Sequence, residues 1–387
     1  MDARRGALTV AIDIGSLIGR PTGVGRFTGH LVEALDALPE PPQLRRYVLS
    51  GRAALPAGVV RLPYPARAAL AAWGRADHPR GRRALRGADV VHGTNFVAPP
   101  TRWPTVITVH DCSPLTHPAM VHAVVRTFVP VLRRAVAAGA WIHTPSAYVA
   151  DQVRELLATD RVRAIPHGSP APLPADAAGR ALPPPLDELA GRPYVLAVGT
   201  VEPRKNLPRL VAAFGLLAAD DADLHLVLAG PSGAGTDAVA AAVARLDGHA
   251  RGRVVLTGWI DEAVRERLLA GARALAYPSL DEGFGLPLLE AFGAGVPTVA
   301  ASAGSLPEVA GDAALLVDPT DVDALAAALD AALHDDAERA RLVAAGRRRL
   351  PGYAWSTTAA SMVDLYREAM ADARADARRP IVTRGTR

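Results

Sequence analysis

The sequence predicts an α/β protein of two doubly wound domains, each a parallel sheet covered by helices on both faces. Three observations carry that reading. Short apolar runs bounded by glycine, proline or aspartate alternate with stretches of helical periodicity along most of the chain. Residues 169–185 hold six prolines and divide this alternation into two series. The length, 387 residues, exceeds a typical single domain, and aromatics make up only 5% of a composition that is half apolar.

The first series opens on LTVAIDI, a buried-strand run, followed by Gly15, Gly19, Gly23 and Gly25. RFTGHLVEALDAL then places Phe27, Leu31, Leu35 and Leu38 at helical spacing. The glycines do not form G-x-G-x-x-G, because Thr28 stands where the last glycine belongs and Gly29 falls one place late. That counts against a dinucleotide-binding dehydrogenase. Further strands are expected at YVLS, VVRLP, DVVHG and PTVITVHD. The last ends at His110-Asp111, at the carboxyl end of a central strand, where open α/β sheets bind ligands. A single helix is expected over residues 124–140 and a strand at WIHTP. Ser146 then caps the helix of residues 147–158, and AIPHGS adds a last strand and turn. Cys112 reads as a buried inert thiol, and His110, His117 and His122 lack the spacing of a metal site.

After the proline segment come YVLAVGT, LHLVLAG, VVLTG, ALAYPS, PTVAAS and ALLVDP, with helical patterns between them. Two stretches here carry chemistry. Following YVLAVGT stand Arg204 and Lys205, with Asn206 as the expected N-cap of the next helix. Cations before a helix N-terminus oppose the macrodipole, so their placement calls for an anion. Lys205 is the only lysine in a chain with 42 arginines, which suggests that a compact ammonium is needed there. Residues 281–297 read DEGFGLPLLEAFGAGVP, a strand–glycine turn–helix unit with Glu282 at the mouth of the helix and Glu290 one turn inside it. Pro287 suits the first helical turn, and Gly293, Gly295 and Pro297 stop the helix. Such a turn presents free N–H groups to a phosphate, and a carboxylate beside it can accept two hydrogen bonds from a vicinal diol. The bland alternative is an ordinary β-turn-α unit with two surface glutamates.

Composition narrows the class further. One cysteine excludes a disulfide framework and suits a reducing compartment. The opening residues lack a signal-peptide apolar run, and no run of about 18 apolar residues occurs, so a cytoplasmic protein is expected. The net charge of +4 is uneven, with +8 over residues 1–190 and −4 over the remainder. The surplus includes Arg75, Arg80, Arg82, Arg83 and Arg86. Without interleaved aromatics or a DNA-binding motif, these arginines suit an anionic acceptor or an anionic membrane surface better than nucleic acid. Ala68, Leu70, Ala71 and Trp73 beside them suggest weak peripheral membrane contact.

The E-x7-E pattern of Glu282 and Glu290, with SLPEV at residues 305–309 and Asp312 to Pro319, resembles the retaining glycosyltransferases of family 4, which have the GT-B fold. GVGRFTGHLVEAL, HDCSPLTHP, EPRKN and the stretch around Trp259 and Ile260 resemble other segments of the family. His167-Gly168 departs from a common Asn-Gly. The resemblance implies two Rossmann-like domains facing across a cleft. It places an acceptor-binding domain at residues 1–187, a nucleotide-sugar domain at 188–352 and a helix returning to the first domain at 353–375, while the polar, basic composition of residues 376–387 reads as a disordered tail. It assigns catalysis to His110, Glu282, Lys205 and Arg204, with the two cations on the donor diphosphate. It assigns donor binding to Gly23, Gly25, Gly199, Thr200, Trp259, Ile260, Gly283, Phe284, Gly285, Leu286 and Glu290, with Glu290 on the ribose. The implied co-substrate is a nucleotide-diphosphate hexose, GDP-mannose first and a UDP-hexose second, with no metal and an unknown hydroxyl acceptor. Two other readings remain open: a GT-B sugar-nucleotide epimerase, and a non-catalytic sugar-nucleotide-binding scaffold.

Overall fold

The computed structural model describes residues 7–19, 23–50, 53–81, 84–118, 121 and 123–378. The chain forms two compact units, residues 169–354 and residues 1–168 with 355–387.

In the N-terminal unit the strands are β1 (Thr9–Asp13), β2 (Gln43–Leu49), β3 (Val60–Leu62), β4 (Val90–Gly93), β5 (Thr105–Thr108), β6 (Trp141–Thr144) and β7 (Val162–Ala164). Its helices are α1 (Gly23–Asp36), α2 (Ala66–Trp73), α3 (Ser113–Thr116), α4 (Ala123–Arg126), α5 (Phe128–Ala137) and α6 (Ala147–Leu157). All strand pairs are parallel, in the order β3-β2-β1-β4-β5-β6-β7, so the order reverses between β1 and β4. The single helix expected over residues 124–140 is broken at Thr127. Pro130 has no N–H to give the Arg126 carbonyl, so α4 and α5 separate there.

The C-terminal unit holds β8 (Tyr194–Val198), β9 (His225–Ala229), β10 (Val254–Gly258), β11 (Ala274–Tyr277), β12 (Thr298–Ala301) and β13 (Leu315–Val317). With them are α7 (Leu207–Asp220), α8 (Thr236–Ala244), α9 (Gly248–Arg251), α10 (Glu262–Gly271), α11 (Leu286–Ala294), α12 (Leu306–Ala310), α13 (Val322–His334) and α14 (Asp336–Arg349). Its parallel sheet runs β10-β9-β8-β11-β12-β13, reversing between β8 and β11. Alternate residues of one strand enter opposite cores: Leu196, Val227, Leu275 and Ala300 join one, and Val195, Leu226, Ala274 and Val299 the other. A sheet buried on both faces reads as continuous apolar runs, as these strands do.

The domain boundary lies earlier than the sequence reading placed it. Residues 169–187, counted there with the first domain, belong to the C-terminal unit, because Leu182, Leu186 and Leu189 bury in its core and Leu173 packs against it. The last helix, α15 (Trp355–Arg378), packs on α1 and joins the N-terminal unit through Ala359, Met362, Leu365 and Tyr366. It is longer than expected. Residues 376–378 continue it, helped by the Arg161–Asp376 ion pair at 2.6 Å, and the rest of the expected tail lies outside the described residues.

A buried polar chain ties α15 to the sheet. The Ile165 carbonyl can only accept, so His143 donates to it from Nε2 (2.9 Å) and must accept at Nδ1. Thr108 therefore donates to His143 Nδ1 (2.9 Å) and accepts from His92 Nε2 (2.8 Å), leaving Tyr366 to donate to His92 Nδ1 (2.8 Å). One carbonyl thus sets both tautomers. Burial, with the neighbouring histidines, keeps both rings neutral: it pushes His143 down to about 4 and His92 well below the usual histidine range.

Candidate active site

Open α/β sheets bind ligands beyond the carboxyl ends of the strands, where the strand order reverses. In the C-terminal unit that point lies between Val198 and Tyr277, and Lys205 stands in it. Pro203–Lys205 form a 3-10 turn after β8, and Asn206 takes a left-handed conformation with φ 57°. Asn206 stands at the expected N-cap position but does not cap α7 with its side chain. Its amide instead donates to the Pro278 carbonyl (3.0 Å) and the Pro319 carbonyl (2.6 Å), stitching the turn to the end of β11. Gly199, at φ 145°, lets the lysine lie close, since a Cβ there would stand 3.2 Å from Lys205 Cε.

The anion that the two cations call for is supplied by the chain. Lys205 Nζ lies 2.6 Å from Glu282 Oε1, and Arg204 NH1 lies 2.8 Å from Glu282 Oε2. Lys205 also donates to the Tyr277 hydroxyl (2.8 Å), while Arg204 Nε reaches Glu202 (2.9 Å). Glu282 is buried at 7% exposure. Burial pushes its carboxyl up, but Arg204 and Lys205 together outweigh that and hold it at about 2. Burial lowers the Lys205 ammonium, opposed chiefly by Glu282.

The main chain of Glu282 is clamped from behind. Its carbonyl accepts from Ser305 N (3.0 Å) and Ser305 Oγ (2.9 Å). Gly304, at φ 60°, sits so close that a Cβ would lie 2.7 Å from both Glu282 N and O. The SLPEV segment therefore buttresses the first glutamate of the E-x7-E pair. Phe284, just before the start of α11, turns its ring into the core against Tyr353.

Glu290 stands inside α11 at 5% exposure and pairs with Arg265 of α10, which also pairs with Glu262. Arg265 was missed from sequence: its i,i+3 spacing from Glu262 was legible, its contact with Glu290 across 25 residues was not. Trp259 is half exposed beside the partly buried Ile260, at the start of the loop before α10. Thr200 is partly exposed after Gly199.

In the N-terminal unit, Gly23 and Gly25 occupy the first turn of α1. His110 follows β5 beside the reversal point, donating from Nε2 to the Thr94 carbonyl (2.9 Å), while Thr94 Oγ1 donates to the Asp13 carbonyl (2.9 Å). That bond leaves His110 Nδ1 as an acceptor, and burial lowers the ring's basicity. Phe27 packs against His110 (5.0 Å), His167 (4.2 Å) and Trp355 (6.1 Å). His167, noted only as a departure from Asn-Gly, is thus part of the wall around His110. Cys112 is buried, as expected. Leu70 and Trp73 of α2, which motivated the membrane expectation, bury in the core, and Arg82, Arg83 and His122 lie outside the described residues. Among the described residues no helix is long and apolar enough to cross a membrane, and no three His, Cys, Asp or Glu are grouped to hold a metal ion.

Two parallel, doubly wound sheets of this kind define a GT-B fold. A sucrose-phosphate synthase from Thermosynechococcus elongatus superposes with TM-score 0.73 at 21% identity, covering 94% of this chain and 100% of that one. Residues 182–349 match the model of the glycosyl transferases group 1 family. The O-antigen chain mannosyltransferase B of Escherichia coli is 33% identical over 181 residues, 46% of this chain and 47% of that protein, so this match spans about half of the relative. The phosphatidyl-myo-inositol mannosyltransferase of Mycolicibacterium smegmatis is 29% identical over 361 residues, 88% of this chain and 86% of that protein. Residues 182–349, within the C-terminal unit of this chain, are thus similar to the glycosyl transferases group 1 family, and the chain as a whole shares the GT-B fold and is similar in sequence to mannosyltransferases.

Proposed function

We propose that the chain transfers a hexose, mannose first, from a nucleotide-diphosphate sugar to an acceptor hydroxyl with retention of anomeric configuration. The observation that carries this reading is the Arg204–Glu282–Lys205 constellation at the point where the strand order reverses. Two cations there suit a diphosphate, and their fixed charge would stabilise the negative charge that develops as the glycosidic bond breaks. The reading assigns no metal ion, because this pair supplies that stabilisation. Glu290 would accept from the ribose hydroxyls and Glu282 from sugar hydroxyls. His110, neutral and with Nδ1 as acceptor, would take a sugar hydroxyl rather than donate a proton. The acceptor would attack from the leaving-group side, with the departing phosphate as its base.

GDP-mannose is the first choice of donor and a UDP-hexose the second, on the likeness to mannosyltransferases. Melting curves with GDP and UDP test the base; a rise with UDP alone would exclude GDP. Nucleotide release that requires an acceptor, with the product anomer read by NMR, tests transfer and retention, whereas acceptor-independent release would favour an epimerase or hydrolase. A weak electrostatic contact with an anionic membrane would use exposed Arg67, Arg75 and Arg86. Vesicle binding that persists at high salt would contradict it.

A further inference from the structure

We propose that Glu282 is the resident counter-ion of the donor site: its carboxylate holds the cation pair while the site is empty, and an arriving diphosphate displaces it toward the sugar. The inference rests on the donor-site reading above and adds an exchange of partners to it.

The geometry shows a carboxylate doing a diphosphate's work. Each oxygen of Glu282 faces one cation, at 2.6 Å and 2.8 Å, the bridging mode that two phosphate oxygens would adopt. Glu202 adds a second carboxylate on Arg204, so the network balances two cations with two anions. An incoming diphosphate therefore meets a neutralised pair and must compete with a carboxylate already seated there. Without that carboxylate, the side chain of Lys205, 11% exposed, would carry an uncompensated charge. The two ends of Glu282 are held differently. Its main chain is fixed by Ser305 and by the close approach of Gly304, while the carboxylate is held by the two cations. The side chain can thus swing while the backbone stays.

This arrangement distinguishes donor from product. An intact donor offers sugar hydroxyls to receive the displaced carboxylate, so the exchange is compensated. A nucleoside diphosphate alone offers none, so after transfer Glu282 competes for its cations again and favours release.

Isothermal titration of the full chain with inorganic pyrophosphate tests the exchange. Glu282→Gln removes the competing charge and should bind pyrophosphate about tenfold tighter than the wild type, although turnover falls. Glu282→Asp, which keeps the charge, should stay within about threefold of the wild type. Equal or weaker binding by Glu282→Gln would overturn the inference. If that variant is too unstable to titrate, its melting temperature should rise more with pyrophosphate than the wild type's does; an equal or smaller rise overturns the inference as well. Lys205→Ala separates the two levels: pyrophosphate binding indifferent to that change would remove the donor-site reading itself.

Discussion

Replacing Lys205 by alanine should damage rate and stability together, and the structure sets both magnitudes. The ammonium is the one lysine charge in the chain and lies 2.6 Å from Glu282 and 2.8 Å from the Tyr277 hydroxyl, with the Tyr277 ring 4.6 Å away. Removing a preorganised charge of this kind should lower turnover by about 10²–10³. The same change leaves buried Glu282 with Arg204 as its remaining cation. Losing one charge-assisted hydrogen bond there should cost about 2–3 kcal/mol, less than the 3–5 kcal/mol typical of a fully broken buried pair. For a unit of this size that is a fall of roughly 5–10 °C in melting temperature. The protein should still fold, but it will not be as stable as the wild type. Lys205→Arg should recover only part of the rate, because a planar guanidinium replaces a compact ammonium in a tight space. Steady-state kinetics at saturating donor, beside calorimetry of each variant, measure both effects. Near-normal turnover in folded Lys205→Ala would refute the diphosphate assignment. An unchanged melting temperature would refute the stabilising role given to the Glu282 contact.

Gly304→Ala should displace Glu282, because its Cβ would stand 2.7 Å from that residue's backbone at a φ of 60°; a loss of about 1–3 kcal/mol in calorimetry, with a fall in turnover, is expected. Glu290→Gln should raise the donor KM about tenfold with a smaller change in kcat, since a ribose hydroxyl alters little on the way to the transition state; loss of kcat alone would argue against the ribose role. His110→Ala should lower turnover more than donor affinity, and a silent substitution would remove it from the site. His143, held neutral with its basicity lowered from 6.5 to about 4, contributes stability that is complete above pH 6.5 and is lost as pH falls toward 4. That contribution is about 3 kcal/mol. His143→Gln should therefore flatten the pH dependence of unfolding between pH 6.5 and 4, read by denaturant titration.

Much of the fold was legible from local pattern. The strand runs, the caps at Ser146 and Gly295, and the helix opened by Leu286-Pro287 depend on neighbours within a few residues, so their signals lie in the sequence itself. Glu282, Glu290, Arg204 and Lys205 were likewise identifiable as candidates, because the first, third and fourth sit at strand–turn–helix junctions and Glu290 follows one turn into the helix. What the sequence could not decide was who pairs with whom. Lys205 and Glu282 are 77 residues apart, and Arg265 and Glu290 are 25. The first contact exists because parallel strands bring β8 and β11 side by side and reverse the order there, the second because α10 packs on α11. The histidine relay from Tyr366 to Ile165 is non-local for the same reason, as is the capture of residues 169–187 by the C-terminal core. Local chemistry determined the elements and singled out the candidate site residues. Long-range packing, which sets distance and burial, decided that the cations already hold a carboxylate and that the buried histidines are neutral.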